Sequence, residues 1–183
     1  ELVPATGCTE PIALAYAAAK MREILGTLPE RVEAEVSGNI IKNVKSVIVP
    51  NTGGLKGIPA AIAAGIVAGD AGRSLQVIAS VSEKKQREIA AYLQTAPISV
   101  IYADTPLLLD IRLTGWGNGH SAAVRIAGTH SNIVLEEQDG ESLRKKEDIS
   151  AAEENQLVEP ALTVADIVEF ADTVALEDVA ELV

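Results

Sequence analysis

The spacing of apolar residues along this chain changes between a helical period and a strand period. Alanine-rich runs with a helical period follow residues 10 and 57, whereas Val32, Ala34 and Val36 alternate with charged residues over 31–37. From residue 98 onward, short apolar runs are separated by Pro, Gly, Asn and Asp, which is typical of strands and turns. The pattern predicts helices over 11–25, 58–69, 82–94, 163–174 and from 176 onward, and strands over 31–37, 46–49, 98–102, 107–113, 122–127 and 132–137.

These elements predict an α/β (α+β) fold. Early alternation of helix and strand, followed by consecutive strands, indicates a mixed sheet with an antiparallel meander, packed on one face against Ala/Gly-rich helices. Residues 39–43 read as a short polar connection, and 73–81 fit either a short helix or a strand. Since 48% of residues are hydrophobic but only 3% aromatic, the core must be built from Ala, Val, Leu and Ile.

Charge divides the chain unevenly. The formal net charge is −11, yet residues 136–183 hold 15 of the 26 acidic side chains and only three basic ones. This shift predicts an N-terminal domain over 1–139 and an acidic helical tail over 140–183, with a boundary near Asp139-Gly140. Because the chain begins at Glu1 and stops at Val183 within a predicted helix, we expect it to be part of a longer protein, the tail beginning a missing C-terminal domain.

Composition also narrows the class of partner and compartment. A basic stripe and an aromatic RNA-binding pattern are both lacking, which argues against nucleic acid. No apolar run reaches the roughly 18 residues of a membrane span, and the N-terminal residues lack a signal-peptide pattern. A single cysteine excludes an internal disulfide framework. We therefore expect a cytoplasmic protein with no membrane partner.

Candidate chemistry begins at Cys8, at the start of the first predicted helix. Thr9 is a good helix N-cap, and Pro11 is tolerated in a first helical turn. A thiol at the positive end of a helix is expected to have a lowered pKa, which makes Cys8 a candidate nucleophile or soft-metal ligand. The alternative is that Cys8 is a small buried hydrophobic residue.

Polar residues cluster at two further places. The glycine-rich loop over 51–57 ends at a helix N-terminus and could hold a small carboxylate, or it could be a purely structural turn. Asn39, Lys42 and Asn43 could satisfy backbone groups, or they could line a site in which Lys42 supplies a point charge or a base.

Of the two histidines, His130 is the better candidate. It lies between two predicted strands beside Ser131 and Asn132, whereas His120 falls in a glycine-rich turn and is expected to be solvated. No nucleophile-elbow sequence accompanies either one, so a Ser/His/Asp triad has no support.

Three blocks of the sequence, in the same order, resemble the L-cysteine desulfidase family, relatives of the iron–sulfur L-serine dehydratase alpha chains. The first is VPATGCTEPIA over 3–13. The second is SGNIIKN over 37–43, running into VPNTGGLKGI over 49–58, and the third is GTHSNIV over 128–134.

This resemblance implies a [4Fe–4S] enzyme that performs β-elimination on a small amino acid. L-Cysteine would give sulfide, ammonia and pyruvate, and L-serine would give water, ammonia and pyruvate. In that family three cysteines hold the cluster and leave one iron open; Cys8 matches the first, and the other two lie in a part this chain lacks. No cluster is therefore expected on this chain alone.

The resemblance also assigns roles. Lys42 and His130 are the candidate catalytic residues and Cys8 the metal ligand; the candidate substrate-binding residues are Thr9, Glu10, Asn39, Asn43, Asn51, Thr52, Gly53, Ser131 and Asn132. We expect Cys8, 39–43, 51–57 and His130 to meet at one rim of the domain. The face carrying Cys8 is expected to be an interface with the missing domain, and a homo-oligomer is compatible with it. The alternative class is a non-catalytic small-ligand-binding or regulatory domain with a structural Cys8.

Overall fold

A computed structural model of the chain describes residues 4–146 and 163–180, and it divides into two compact units, Glu1–Ser150 and Ala151–Val183. The first unit holds four α-helices, a 3-10 helix and six strands among its described residues; the second holds two helices. In the first unit these are α1 (Thr9–Leu25), β1 (Arg31–Val36), α2 (Gly38–Val44), α3 (Gly57–Ala68), the 3-10 helix Ala71–Gln76, α4 (Glu83–Thr95), β2 (Ile98–Tyr102), β3 (Asp110–Gly117), β4 (His120–Ala127), β5 (Ile133–Gln138) and β6 (Glu141–Lys145); in the second they are α5 (Val164–Thr173) and α6 (Leu176–Val179).

All six strands form one mixed sheet in the order β2-β1-β3-β4-β5-β6. Only β1 and β2 are parallel, and β3 to β6 run as a consecutive antiparallel meander. Alternate residues of β1, and of β3 from Ile111 onward, are buried, as the period-two pattern of β1 predicts. The predicted α+β fold with a mixed sheet and a meander is confirmed.

Helices α1 and α3 pack against each other on one face of this sheet, and small side chains allow the close approach. A Cβ atom built on Gly65 of α3 would lie 2.8 Å from the carbonyl carbon of Ala15 in α1, and one built on Gly69 would lie 2.7 Å from Cβ of Ala19. On the sheet side, a Cβ atom on Gly115 of β3 would lie 2.8 Å from Sδ of Met21. The backbones are therefore in contact where larger residues would hold them apart.

Three local predictions were wrong. Residues 39–43 form helix α2 and not a connection, because Ile40 and Val44, four residues apart, are both buried against the core. Residues 46–49 contribute only an isolated bridge between Ile48 and Lys56. Strand β6 was missed because all of its residues are exposed and carry no apolar alternation.

The other predicted helices and strands match the structure or differ from it at their ends. β3 begins three residues later than predicted and extends to Gly117. The ambiguous segment 73–81 lies in the 3-10 helix only as far as Gln76. Ser82 caps α4, since its Oγ accepts from the Lys85 N–H. In the second unit, Thr163 and Asp166 form a capping box at the start of α5.

The predicted domain boundary near Asp139-Gly140 lies inside the first unit. Both residues have positive φ, 52° and 82°, and they form the tight turn of the β5–β6 hairpin. The change in charge composition therefore coincides with a hairpin turn of the sheet. Among the described residues, no helix is both long and apolar enough to cross a membrane.

The contact between α1 and α3 gives a test of this packing. We expect Gly65→Ala to lower the free energy of unfolding by about 3 kcal/mol, because the new methyl group would overlap the Ala15 carbonyl. Urea denaturation followed by circular dichroism measures the change. The matched control is Gly72→Ala, at an exposed glycine with ordinary φ and only an Asp70 oxygen at 3.3 Å, where a change below about 1 kcal/mol is expected. Equal stability of the two variants would contradict the close approach.

Candidate functional site

The Glu10 carboxylate lies at the centre of a polar cluster at the start of α1. Its Oε2 accepts a hydrogen bond from Cys8 Sγ at 3.1 Å and one from Thr9 Oγ1 at 3.3 Å. Its Oε1 accepts one from Asn43 Nδ2 at 3.2 Å, which ties α1 to α2. His130, from the turn between β4 and β5, is close enough to interact electrostatically with the same carboxylate. Residues distant in sequence therefore meet around one charge.

The backbone at the start of α1 explains this arrangement. Gly7 has φ of 86°, and a Cβ atom there would lie 3.0 Å from Cγ of Pro50, so the entry turn lies against the end of the second motif. Cys8, not Thr9 as predicted, occupies the N-cap position, and its side chain makes no capping hydrogen bond. Glu10 then falls in the first turn, where the helix dipole favours a negative charge.

Hydrogen bonding keeps Glu10 ionised. Burial alone would raise the pKa of its carboxyl, but the hydrogen bonds from Cys8, from its own backbone N–H and from Asn43, together with the charge of His130, outweigh burial and lower that pKa below its usual range. Glu10 is therefore a carboxylate at neutral pH.

The same carboxylate controls Cys8. Burial, the hydrogen bond to Glu10 and the negative charge of Glu10 raise the pKa of the Cys8 thiol, and they outweigh the opposing hydrogen bond from the Glu10 backbone N–H. The predicted lowering of this pKa was wrong, because the prediction counted the helix dipole and left out burial of the thiol and the acid two residues away. The thiol is exposed, and its raised pKa keeps it protonated at neutral pH.

His130 is half-buried, and its burial lowers the pKa of the imidazole although the Glu10 charge partly raises it. The neutral ring is thus the favoured form at neutral pH and can accept a proton. The turn that carries His130 is held by Asn132, whose Nδ2 donates to the Ala127 carbonyl at 3.0 Å and whose Oδ1 accepts from Lys146 Nζ at 2.6 Å. Ser131, between His130 and Asn132 in the sequence, is half-buried.

Helix α2 supplies the remaining polar side chains near Glu10. Asn39 and Asn43 are four residues apart and therefore share one side of the helix, on which Asn43 contacts Glu10. Lys42 is exposed at the adjacent position. The helical conformation, which the sequence pattern did not predict, is what places the two asparagines side by side.

The glycine-rich loop has mainly structural contacts. Asn51 Nδ2 donates to the carbonyls of Ile78 at 2.9 Å and Ala79 at 3.2 Å. The buried Thr52 donates its hydroxyl to the Val49 carbonyl at 2.7 Å and accepts from the Leu55 N–H at 3.2 Å. These contacts favour the structural-turn alternative for both residues.

Gly53, in the same loop, lies beside Gln86 of α4 and not beside Glu10. Together with Thr52 it borders a separate cavity of about 360 Å³ between the loop and α4. The structure thus groups Cys8, Thr9, Glu10, Asn43 and His130, with Asn39 alongside, and it gives 51–53 different neighbours.

A cluster cofactor would need ligands from outside the described residues. Within residues 4–146 and 163–180, no group of three or more His, Cys, Asp and Glu side chains is placed to hold a metal ion. Cys8 is an exposed thiol at a helix terminus, which fits a residue that donates one ligand to a shared centre.

The fold and the site together define an α+β domain with a thiol, a carboxylate and an imidazole at one helix terminus. Among curated proteins, the chain is 50% identical over 182 residues to a UPF0597 protein of Desulfitobacterium hafniense and 43% identical over 184 residues to a UPF0597 protein of Treponema denticola. Both alignments cover the whole of this chain. They cover only 42% and 43% of the two relatives, so the chain spans less than half the length of these relatives. No protein-family model and no solved structure matches it.

The central position of Glu10 can be tested by neutralising it. In Glu10→Gln we expect the pKa of the Cys8 thiol and the pKa of His130 both to fall. In the native protein the Glu10 charge disfavours the thiolate and favours the imidazolium, and the substitution removes both effects. The rate of thiol alkylation against pH measures the first pKa, and NMR titration of the imidazole measures the second.

Glu23→Gln is the control for this experiment. Glu23 lies on the same helix, where it pairs with Lys20 at 3.6 Å, and its loss should leave both pKa values unchanged. If Glu10→Gln also leaves the pKa values of Cys8 and His130 unchanged, the Glu10 carboxylate does not interact with these two groups.

Proposed function

We propose that this chain is the N-terminal part of an iron–sulfur-dependent lyase that carries out β-elimination on L-cysteine or L-serine. The observation that supports this most is the Glu10 carboxylate, joined by hydrogen bonds to an exposed thiol and to Asn43 and lying close to a neutral imidazole. It lies within the motif that carries the resemblance to the desulfidases. β-Elimination needs a base for the α-proton, a group that binds the ammonium and carboxylate, and assistance to the leaving group.

His130 is the base in this proposal. Its lowered pKa leaves the ring nitrogen unprotonated at neutral pH, and the nearby Glu10 carboxylate would stabilise the imidazolium formed when it takes the α-proton. Lys42 supplies an exposed positive charge for the substrate carboxylate, next to the asparagines of α2.

Glu10 and its neighbours bind the amino group. A substrate ammonium fits beside a partly exposed carboxylate that already accepts hydrogen bonds on both oxygens, and Thr9, Asn39 and Asn43 offer further polar atoms. Asn51, Thr52 and Asn132 act by fixing the backbone of the two motifs, since each donates a hydrogen bond to a backbone carbonyl. Gly53 and Ser131, the two remaining candidate substrate-binding residues, are part of the same turns.

A [4Fe–4S] cluster, when bound, supplies a Lewis acid for the β-leaving group. Cys8 would provide one of its thiolates and must lose its Sγ proton to do so, a proton that is otherwise donated to Glu10 Oε2. The remaining ligands come from the part of the full-length protein beyond this chain. That part is also the proposed partner of the Cys8 face, with a second copy of the protein as a further one, and the cytoplasm is the proposed compartment.

The test uses the full-length protein reconstituted with iron and sulfide under anaerobic conditions. We expect pyruvate from L-cysteine or L-serine, with sulfide released from L-cysteine. Cys8→Ser should lose iron and activity together. His130→Gln should keep its iron and lose about 100-fold or more in kcat, because a general base contributes at least that factor.

His120→Gln is the matched control, since His120 pairs with Asp139 on an exposed hairpin away from Glu10. It should keep full iron and full activity. A Cys8→Ser variant with full iron content and turnover would contradict the proposal. A full-length protein that binds the amino acid but forms no pyruvate would favour the non-catalytic ligand-binding alternative.

A further inference from the structure

A row of charged side chains crosses the sheet on the face opposite α1. The strand register places Glu35 opposite Arg112, Arg112 opposite Arg125, Arg125 opposite Leu135 and Leu135 opposite Lys145. Glu35, Arg112 and Arg125 each lie between buried residues of their strand, so their side chains lie on the other face. Leu135 and Lys145 share that face because directly opposite residues of paired strands do. Three cations thus lie along one line over four adjacent strands.

Two arginines directly opposite each other on neighbouring strands repel, which destabilises the sheet unless other groups offset their charges. Each one contacts a carboxylate. Arg125 donates from Nε and Nη2 to both oxygens of Asp110, at 2.9 and 2.8 Å, and Asp110 is only 5% exposed. Arg112 pairs with Glu137 at 3.1 Å. These contacts fix the positions of both guanidinium groups.

The row borders a cavity of about 270 Å³, which we call the cationic cleft. Among the described residues, four basic side chains line it, together with the carboxylate of Glu137 and the hydroxyl of Ser142. Even when both arginines are counted as neutralised by their acids, the two lysines leave a net positive charge among these described lining residues. The basic side chains of the cationic cleft are Arg112, Arg125, Lys145 and Lys146.

We infer that the cationic cleft binds a small dianion, a molecule that carries two negative charges as a dicarboxylate or a phosphate monoester. The cavity is close to the lower end of small-molecule sites, so it fits a metabolite of that size and not a polymer. A positioned guanidinium suits planar recognition of carboxylate or phosphate oxygens, and Lys145 adds a point charge across the cleft. In a chain with a net charge of −11, such a concentration of cations is a local exception.

This site is separate from the one proposed for catalysis. Val124 and Ile126 of β4 are buried in the core that α1 shares, whereas Arg125 between them reaches the opposite face. Lys146, which lines the cationic cleft, also donates from Nζ to Asn132 Oδ1 in the turn that carries His130, and the Asp110 carbonyl accepts from the Ser37 N–H at the start of α2. The inference does not rest on the proposed lyase activity, because the dianion would be bound by side chains on the face opposite α1.

Isothermal titration calorimetry of the full-length protein tests the inference, with succinate and inorganic phosphate as probes and acetate at equal ionic strength as the monovalent control. We expect one site for at least one dianion, with acetate at least tenfold weaker. Whether succinate or phosphate binds more tightly tells dicarboxylate from phosphate ester. Arg112→Gln and Lys145→Gln should each weaken binding about tenfold, the usual loss for a charged hydrogen-bond partner.

Arg87→Gln is the matched control, because Arg87 is an exposed cation on α4 whose contact is with Glu83 at 4.0 Å. It should change binding less than twofold. Arg125 is left intact, since its loss would deprive the buried Asp110 of its cation. Should Arg112→Gln fail to fold by circular dichroism, Lys145→Gln carries the test, because Lys145 is exposed on the edge strand β6.

Either of two results would overturn the inference. One is the absence of binding by both dianions at millimolar concentration. The other is an equal loss of affinity in Arg87→Gln, Arg112→Gln and Lys145→Gln, which would indicate a response to overall charge and no specific site.

Discussion

The fold of the first unit depends on how closely α1 approaches α3 and the sheet. Gly65 meets the backbone of Ala15, and Gly115 of β3 admits the Met21 side chain. Because these contacts involve backbone and small side chains, α1 has little freedom to slide or rotate against its neighbours. Its N-terminus is therefore held in one place, and the candidate site is built on that terminus.

A fixed helix terminus gives the Glu10 carboxylate its effect. The acid sits where the helix dipole favours it and where α2 and the β4–β5 turn bring Asn43 and His130 to it. One negative charge then acts in opposite directions on its neighbours: it makes a thiolate at Cys8 less favourable and an imidazolium at His130 more favourable. Burial is the larger influence on both groups: it adds to the effect of Glu10 at Cys8 and outweighs that effect at His130.

The two faces of the sheet have different physical roles. The inward face is apolar and is covered by α1 and α3, so it supplies stability. The outward face needs no apolar residues, and it carries two buried or partly buried ion pairs whose arginines face each other across β3 and β4. Burying ionic groups contributes little net stability. These two ion pairs are therefore better understood as holding charges in fixed positions.

The sequence by itself determined the element types wherever a strong period was present: the alternation of β1, the alanine-rich helices and the meander of short strands all appear in the structure. It also singled out Cys8, Asn43 and His130 as candidate residues. The tertiary structure alone decided that residues 39–43 form a helix, because only packing buries Ile40 and Val44 together. It alone showed that burial and the hydrogen bond to Glu10 raise the pKa of Cys8, and that Arg112 and Arg125 are neighbours. Local periodicity depends on residues near in sequence, whereas burial, side-chain orientation and strand register depend on the tertiary fold.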